Sequence, residues 1–156
     1  MHANIIPVAT GDAWIGYGVR SFRSVISELI TNSLSKLIMT AYVLTNIEIV
    51  EEIRGALNRG VVVEIYLYDD GKEITQTEAV HQIINLKQEF PYLDIIFIKS
   101  KVLHAKIIIA DSRVVLVGSA NLTLPAMVSN YEMGFLIDDP GIAGKLTDLV
   151  YKMRSA

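Results

Sequence analysis

Residues His104 to Asn121 read HAKIIIADSRVVLVGSAN and form the most informative stretch of the chain. Two apolar and mostly β-branched runs, residues 107–110 and 114–117, flank a polar tripeptide, which is typical of a β-hairpin with a tight turn. Packing alone does not select the four polar residues at the outer ends of these runs: His104, Lys106, Ser119 and Asn121.

The register of the hairpin follows from the length assigned to its loop. If residues 112–113 form a two-residue loop, Asp111 pairs with Val114. Side chains alternate between the two faces of a strand. This register therefore predicts one polar patch made of two facing pairs: Lys106 with Ser119, and His104 with Asn121. The same alternation places Asp111 on the opposite face, so we expect it to support the structure rather than touch a substrate.

The predicted patch has the chemistry of a phosphate site. Lys106 supplies a positive charge and Asn121 an amide donor for non-bridging oxygens, and Ser119 adds a hydroxyl hydrogen bond. His104 is the candidate nucleophile. Attack by its imidazole on phosphorus would form a phosphohistidine, which water would cleave in a second step.

These residues resemble the HKD motif of the phospholipase D superfamily at every defining position: His104-x-Lys106, then Asp111, then Gly118-Ser119-x-Asn121. Glu132, in the stretch 131–135, lies where the family carries a glutamate that hydrogen-bonds the motif histidine. The stretches 42–46 and 59–63 also resemble this family, and the likeness covers roughly residues 36–153. It implies a supporting role for Gly118 and Asp111, and a catalytic role for His104, Lys106 and Glu132.

The resemblance also implies how one histidine would suffice. Family members use two motifs, and where a chain has a single motif two chains dimerise and share one active site. This sequence holds one copy, so we expect a homodimer in which the two His104 side chains face each other. One would attack phosphorus and the other would protonate the leaving oxygen, while Glu132 holds the second ring nitrogen of His104.

The pattern of apolar residues gives the fold class. Helical and strand patterns alternate before the hairpin, which predicts an α/β domain with a mixed, largely parallel β-sheet flanked by helices on both faces. This is the phospholipase D-like fold that the resemblance implies. We find no internal repeat or linker, so residues 1–156 are expected to form a single domain. Helices are predicted over residues 19–37, from Thr45 to Gly60, from Thr75 to Pro91 and after Asp139, and residues 122–130 are predicted to form a loop.

Composition restricts the functional classes. The chain has 156 residues, no cysteine and a net charge of −3, with no basic run, which argues against tight non-specific DNA binding but allows a local positive cleft. No apolar run is long enough to span a bilayer, and residues 1–4 lack the features of a secretory signal. We expect a cytoplasmic protein without stable membrane association. Asp111 and Glu132 are too few for a two-metal site, so no metal or cofactor is expected.

The leading functional hypothesis is a metal-independent phosphodiesterase, specifically a nuclease, and an endonuclease in particular, that cleaves DNA or RNA. It rests on the small size of the chain, which leaves little room for lipid-binding inserts. One alternative is a phospholipase D or phosphatidyltransferase acting on lipid. Another is a non-catalytic nucleic-acid-binding subunit of a larger assembly. Tyr42, at the end of a predicted strand, is compatible with the rim of the site or with the core.

Overall fold

Eight strands form one mixed β-sheet in the computed structural model, which describes residues 4–155. Residues 1–3 and 156 lie outside the described range. They belong to the predicted domain 1–156, and residues 1–3 also belong to the segment that was compared with a secretory signal. The strands are β1 (Asn4–Thr10), β2 (Arg20–Ser21), β3 (Lys36–Ala41), β4 (Val62–Tyr68), β5 (Leu93–Ile98), β6 (Ile107–Ala110), β7 (Val114–Gly118) and β8 (Glu132–Asp138). Their order across the sheet is β2-β1-β8-β7-β6-β3-β4-β5.

The direction of the strands confirms the expected mixed, largely parallel sheet. Six of the eight strands run one way, and only β6 and β8 run the other way. Because these two strands lie inside the sheet, four of the seven neighbouring pairs are nevertheless antiparallel. The parallel part, β3-β4-β5, is built with helical crossovers, as parallel pairing requires.

Helices cover both faces of the sheet, as predicted. They are α1 (Phe22–Asn32), α2 (Ile47–Asn58), α3 (Glu78–Glu89), α4 (Leu124–Val128) and α5 (Pro140–Tyr151). Buried side chains of α1 to α4 pack with one face of the sheet in a large apolar cluster, whereas α5 packs with the other face in a smaller cluster around Tyr66, Ile109 and Val115. Within residues 4–155, no helix has the length and apolar character needed to cross a membrane.

Two helix starts differ from the sequence prediction because another residue provides the N-cap. Asn46, rather than Thr45, caps α2, and its side-chain oxygen accepts hydrogen bonds from the first-turn backbone. Thr77, rather than Thr75, caps α3. The hydroxyl of Thr75 instead bonds to Asp70 in the preceding loop.

The C-terminal end of α1 and the segment that contains α4 also differ from the prediction. The helical pattern that continues to residue 37 ends at Asn32, because Ser33 adopts an extended backbone and its hydroxyl donates to the carbonyl of Ile30. The expected loop over residues 122–130 contains the short helix α4, which Thr123 caps. The small residues and the proline of this segment favour a loop in the sequence pattern. The helix forms nevertheless, because Pro is well tolerated in the first helical turn.

The hairpin is present, but its predicted register is wrong by one residue. Ala110 pairs with Val114. Continuing this register places Lys106 opposite Gly118 rather than Ser119. Asp111 and Ser112 both have positive φ, 54° and 55°, as the two central residues of a type I′ turn require. Arg113 is then an extra residue before the pairing begins, so the actual connection has three residues.

Candidate active site

The candidate residues meet at one edge of the sheet. β3, β7 and β1 end at this edge, while β6 and β8 start there because they run in the opposite direction. His104 and Lys106 precede β6, Ser119 follows β7, and Glu132 is the first residue of β8. The four side chains therefore converge although the strand register differs from the predicted one, since three of them lie just beyond the ladder.

Lys106 contacts His104 directly. Its Nζ donates to the carbonyl oxygen of His104 at 2.8 Å and lies 3.3 Å from His104 Nδ1. An ammonium group has donors only, so this contact makes Nδ1 the acceptor and favours the proton on Nε2. His104 is otherwise exposed, whereas Lys106 is half-buried.

Glu132 is held by groups other than the predicted one. Its Oε1 accepts from the Ser119 hydroxyl at 2.6 Å and its Oε2 accepts from the Asn130 side-chain amide at 3.1 Å. The Ser119 Oγ also accepts from the backbone N–H of Met133 at 3.0 Å. The expected hydrogen bond from His104 to Glu132 is therefore replaced within this chain by bonds from Ser119 and Asn130.

Burial and charge act in opposite directions on Lys106. Desolvation lowers the pKa of its ammonium group below the ordinary value, and the nearby Glu132 carboxylate partly opposes this effect. The group contacts His104 and is near enough to Glu132 for the carboxylate to act on it electrostatically. Its partial burial strengthens any interaction with an anionic group that enters the site, because the local dielectric constant is lower than that of water.

Asn121 lies apart from this contact network. It is half-buried. The backbone of the next residue, Leu122, forms hydrogen bonds with the backbone of Val43 and Thr45. Within residues 4–155, the Asn121 Oδ1 is shielded from solvent and has no hydrogen-bond partner. The structure thus pairs His104 with Lys106 and Ser119 with Glu132, whereas within residues 4–155 Asn121 has no hydrogen bond to any of these four side chains.

Asp111 occupies the far end of the hairpin, at the opposite edge of the sheet from His104. Its carboxylate accepts hydrogen bonds from the backbone N–H groups of Leu34, Ser35 and Lys36 at 2.8–3.2 Å. These bonds fasten the hairpin turn to the start of β3. Asp111 therefore has the contacts of a structural residue.

Two residues support the site, Thr40 in β3 and Tyr42 just after it; the sequence pattern assigned no role to Thr40 and left Tyr42 open between the rim of the site and the core. Thr40 is 2% exposed, and its hydroxyl bonds to the backbone of Ala105 and Ile107. Tyr42 is half-buried with its ring 5.4 Å from the imidazole of His104, so it lies at the rim of the site. The alternation of Thr40 and Tyr42 along one strand, in the stretch that ends at the site edge, is the signal that could have identified them.

Within the part of the chain that the structure describes, no group of three or more His, Asp or Glu residues is arranged to hold a metal ion. Both oxygens of Glu132 are engaged by neighbouring side chains. The chemistry that the arrangement offers comes from an exposed imidazole beside a half-buried ammonium group, which is suited to binding and attacking a phosphate ester.

Comparison with known families and structures agrees with the fold. Residues 26–154 match the family described as cardiolipin synthase, PLD-like domain. No curated protein matches the chain in sequence.

Solved structures share the whole fold. Nuc, a phospholipase D family member from Salmonella typhimurium, has a TM-score of 0.77 and 19% identity, with 97% of this chain and 94% of Nuc covered. NucT from Helicobacter pylori has a TM-score of 0.77 and 20% identity, with coverages of 97% and 96%. TrmBL2, an archaeal chromatin protein whose structure shows a mode of DNA binding, has a TM-score of 0.65 and 15% identity, with coverages of 97% and 51%. At these identities the likeness concerns the fold.

Proposed function

The chain belongs to the phospholipase D-like family, and we propose that it is a metal-independent phosphodiesterase that cleaves DNA or RNA as an endonuclease, at a site shared by two copies of the chain. The observation that carries the proposal is the contact of His104 with Lys106, at an open edge of the sheet where Ser119 and Glu132 also converge. A nucleophile and a cation at this distance fit one phosphodiester group.

In the first step Lys106 binds a non-bridging oxygen of the phosphodiester. The negative charge of the substrate draws the ammonium away from His104 Nδ1, which frees an imidazole lone pair for attack. A nitrogen–phosphorus bond forms, and the bond from phosphorus to the leaving oxygen breaks. Asn121, through its side-chain amide N–H, and Ser119, once its hydroxyl turns from Glu132, are proposed to bind the phosphate as well.

The leaving oxygen needs a proton, and within residues 4–155 the other histidine, His81, lies on the exposed surface of α3, far along the chain from the site. We assign this proton to His104 of the partner subunit in a homodimer. Water then attacks phosphorus, the nitrogen–phosphorus bond breaks, and the proton of the water returns to the partner's His104. Each copy thus supplies one histidine to a single reaction.

Polynucleotides are favoured as substrates because the site is open. His104 and Ser119 are exposed at a sheet edge, and no additional domain encloses them within residues 4–155. In the proposed homodimer a long polymer can therefore reach the two facing His104 side chains along the cleft between the copies, without threading through a pocket within one chain. The fold relatives Nuc and NucT have nearly the same length as this chain, which is consistent with a small, uncovered site.

The test is cleavage of labelled single-stranded and double-stranded DNA and RNA in excess EDTA. The matched variants are His104→Asn and His81→Asn, since His81 is exposed on α3 and, within residues 4–155, its side chain forms no hydrogen bond with a site residue. We expect cleavage by the wild type and by His81→Asn, with a loss of at least about a thousandfold in His104→Asn. Equal activity in wild type and His104→Asn would contradict the proposed nucleophile.

Two other functions have specific support. The matching family is described as cardiolipin synthase, so release of a headgroup from phospholipid vesicles, without nucleic-acid cleavage, would assign a lipid substrate. TrmBL2 shares the fold and binds DNA. DNA binding that is sensitive to salt and unchanged in His104→Asn, again without cleavage, would assign a non-catalytic nucleic-acid-binding subunit.

A further inference from the structure

The segment that carries His104 and Lys106 has little regular support of its own. The ladder between β3 and β6 covers Leu37 to Met39 on the β3 side and ends at Ile108. Residues 99–106 lie before β6 and outside any strand. Besides the 3.4 Å bond from the Gly118 N–H to the Lys106 carbonyl oxygen, a contact with β3 is needed if His104 is to keep one position.

Thr40 provides that contact through its side chain. Its Oγ1 donates to the carbonyl oxygen of Ala105 at 2.7 Å and accepts from the backbone N–H of Ile107 at 2.9 Å. The hydroxyl thus takes the place of the next ladder bonds and fixes the backbone on both sides of Lys106. Because Thr40 is 2% exposed, water does not compete for these two bonds.

Tyr42, two residues further along, supports the imidazole ring itself. Its ring centroid lies 5.4 Å from that of His104 at an interplanar angle of 57°, a tilted aromatic contact. Tyr68 stacks behind Tyr42, with centroids 5.4 Å apart and planes 18° apart. Tyr42 is therefore held on one side by Tyr68 and limits the rotation of His104 on the other.

We propose that Thr40 and Tyr42 are positioning residues for the reaction: Thr40 fixes the backbone between His104 and Lys106, and Tyr42 fixes the imidazole ring of His104. Neither residue touches the reacting atoms. The consequence for catalysis rests on the proposed function, whereas the consequence for the histidine ring does not. A nucleophile displaced by about 1 Å loses on the order of a hundredfold in rate, so positioning of this kind has a measurable effect.

The first test compares Thr40→Val with Thr40→Ser. Valine keeps the shape of threonine but removes both hydrogen bonds, whereas serine keeps the hydroxyl. We expect Thr40→Val to lower kcat by about ten- to a hundredfold with little change in KM, and Thr40→Ser to restore kcat to within about threefold of wild type. Thr10→Val is the matched control, because within residues 4–155 the buried Thr10 hydroxyl at the same sheet edge has no hydrogen-bond partner. Thr10→Val should keep wild-type kcat.

The second test reads the histidine ring without any substrate. The imidazole nitrogen resonances of His104 are assigned by their loss in His104→Asn, and they are compared in wild type, Tyr42→Leu, Tyr42→Phe and Thr40→Val. We expect shifted or broadened His104 resonances in Tyr42→Leu and Thr40→Val, and wild-type resonances in Tyr42→Phe, which keeps the ring. Wild-type His104 resonances in both Tyr42→Leu and Thr40→Val would overturn the positioning role. If the wild type cleaves no phosphodiester, the proposed function fails, and these spectra still decide the positioning role.

Discussion

At the scale of single residues, Gly118 and Gly134 show how little space separates β7 from β8 next to the site. The two glycines pair directly across the strands, and Phe22 of α1 lies over both. A Cβ at Gly118 would lie 2.7 Å from the carbonyl oxygen of Met133 and 2.9 Å from the Phe22 ring. A Cβ at Gly134 would lie 2.5 Å from the carbonyl oxygen of Val117. Any side chain here must displace backbone.

We therefore predict that Gly118→Ala and Gly134→Ala each lower the free energy of unfolding by about 1–3 kcal/mol, because the added methyl group overpacks the strand pair. Urea denaturation measures the change. Gly144→Ala in α5 is the control, since nothing lies within 4 Å of a Cβ there, and alanine in a helix is favoured over glycine by up to about 1 kcal/mol. Equal stability of Gly118→Ala and Gly144→Ala would show that the strand pair adjusts without cost.

Asp111 gives a prediction that depends on pH. Desolvation by itself would raise the pKa of its carboxyl, but hydrogen bonds from the backbone of Ser35, Lys36 and Leu34 outweigh it and hold the pKa below the ordinary value. A folded-state pKa below the unfolded one stabilises the protein above the unfolded pKa of about 3.9, and this stabilisation disappears as pH falls through the folded pKa.

Asp111→Asn, which tolerates the positive φ at this position, should therefore be less stable than wild type by about 1 kcal/mol at pH 7. The difference in the free energy of unfolding should shrink as the pH falls below about 4. Urea denaturation of both proteins across pH 7 to 3 measures it. A difference that stays constant over this range would contradict the account of the carboxylate.

At the scale of elements, the hairpin shows what local sequence can predict. Its two β-branched runs and polar turn were sufficient to place both strands, because strand pattern and turn chemistry are local properties. The register was not predictable in the same way. Asp111 and Ser112 both adopt the left-handed conformation. Hydrogen bonds from Leu34 to Lys36, 75 or more residues away in sequence, support it. Propensity alone favours no such pair of residues.

The candidate site was predictable to the extent that its residues lie in one motif. His104 contacts Lys106 before β6, and Ser119, at the end of the neighbouring strand, contacts Glu132 on β8. The partners of Glu132 were not predictable, because Ser119 competes for its carboxylate through a geometry that only the folded strands define. The support from Thr40 comes from a strand more than sixty residues away, which the motif does not describe.

A second element, α5 with the short 3₁₀ turn Lys152–Ser155 that follows it, is linked to the sheet by a cluster of polar contacts around one buried carboxylate. Glu64 on β4 is 7% exposed at its side chain and bonds to Lys36 at 2.7 Å, Arg154 at 2.6 Å and Tyr151 at 3.0 Å. Burial alone would raise the pKa of Glu64, but these three hydrogen bonds lower it below the ordinary value. The carboxylate thus ties the C-terminal elements to the sheet.

Glu64→Gln should lower the free energy of unfolding by about 1–3 kcal/mol, because the neutral amide loses the charge-assisted hydrogen bonds that the buried carboxylate accepts from Lys36, Arg154 and Tyr151. Hydrogen exchange should also speed up selectively in residues 140–155. Glu89→Gln is the matched control, since Glu89 pairs with Arg54 on the surface with 59% of its side chain exposed. That variant should change stability by less than about 1 kcal/mol. Similar effects of the two variants would show that the contacts of Glu64 contribute no more to the free energy of unfolding than the surface pair of Glu89.

At the scale of the whole molecule, the proposed homodimer would make the oligomer part of the active site. If both His104 side chains are needed, wild-type chains that pair with His104→Asn chains should have little activity. We predict that adding an excess of His104→Asn chains, after exchange of subunits, lowers the activity per wild-type chain several-fold. Mixing with His81→Asn chains provides the control and should leave it unchanged. Near-full activity per wild-type chain in the presence of excess His104→Asn would refute the shared site.

The pairing of β1 with β8 has a consequence for synthesis on the ribosome. β1 is made first, yet its seven-residue ladder is with residues 132–138, and only the two-residue β2 pairs with it otherwise. The parallel unit β3-β4-β5, made from neighbouring segments, is able to assemble as soon as residue 98 has emerged. Until translation passes residue 138, the nascent chain therefore exposes β1 as an unpaired, largely apolar strand, and this interval is when the chain is most open to aggregation and to chaperones.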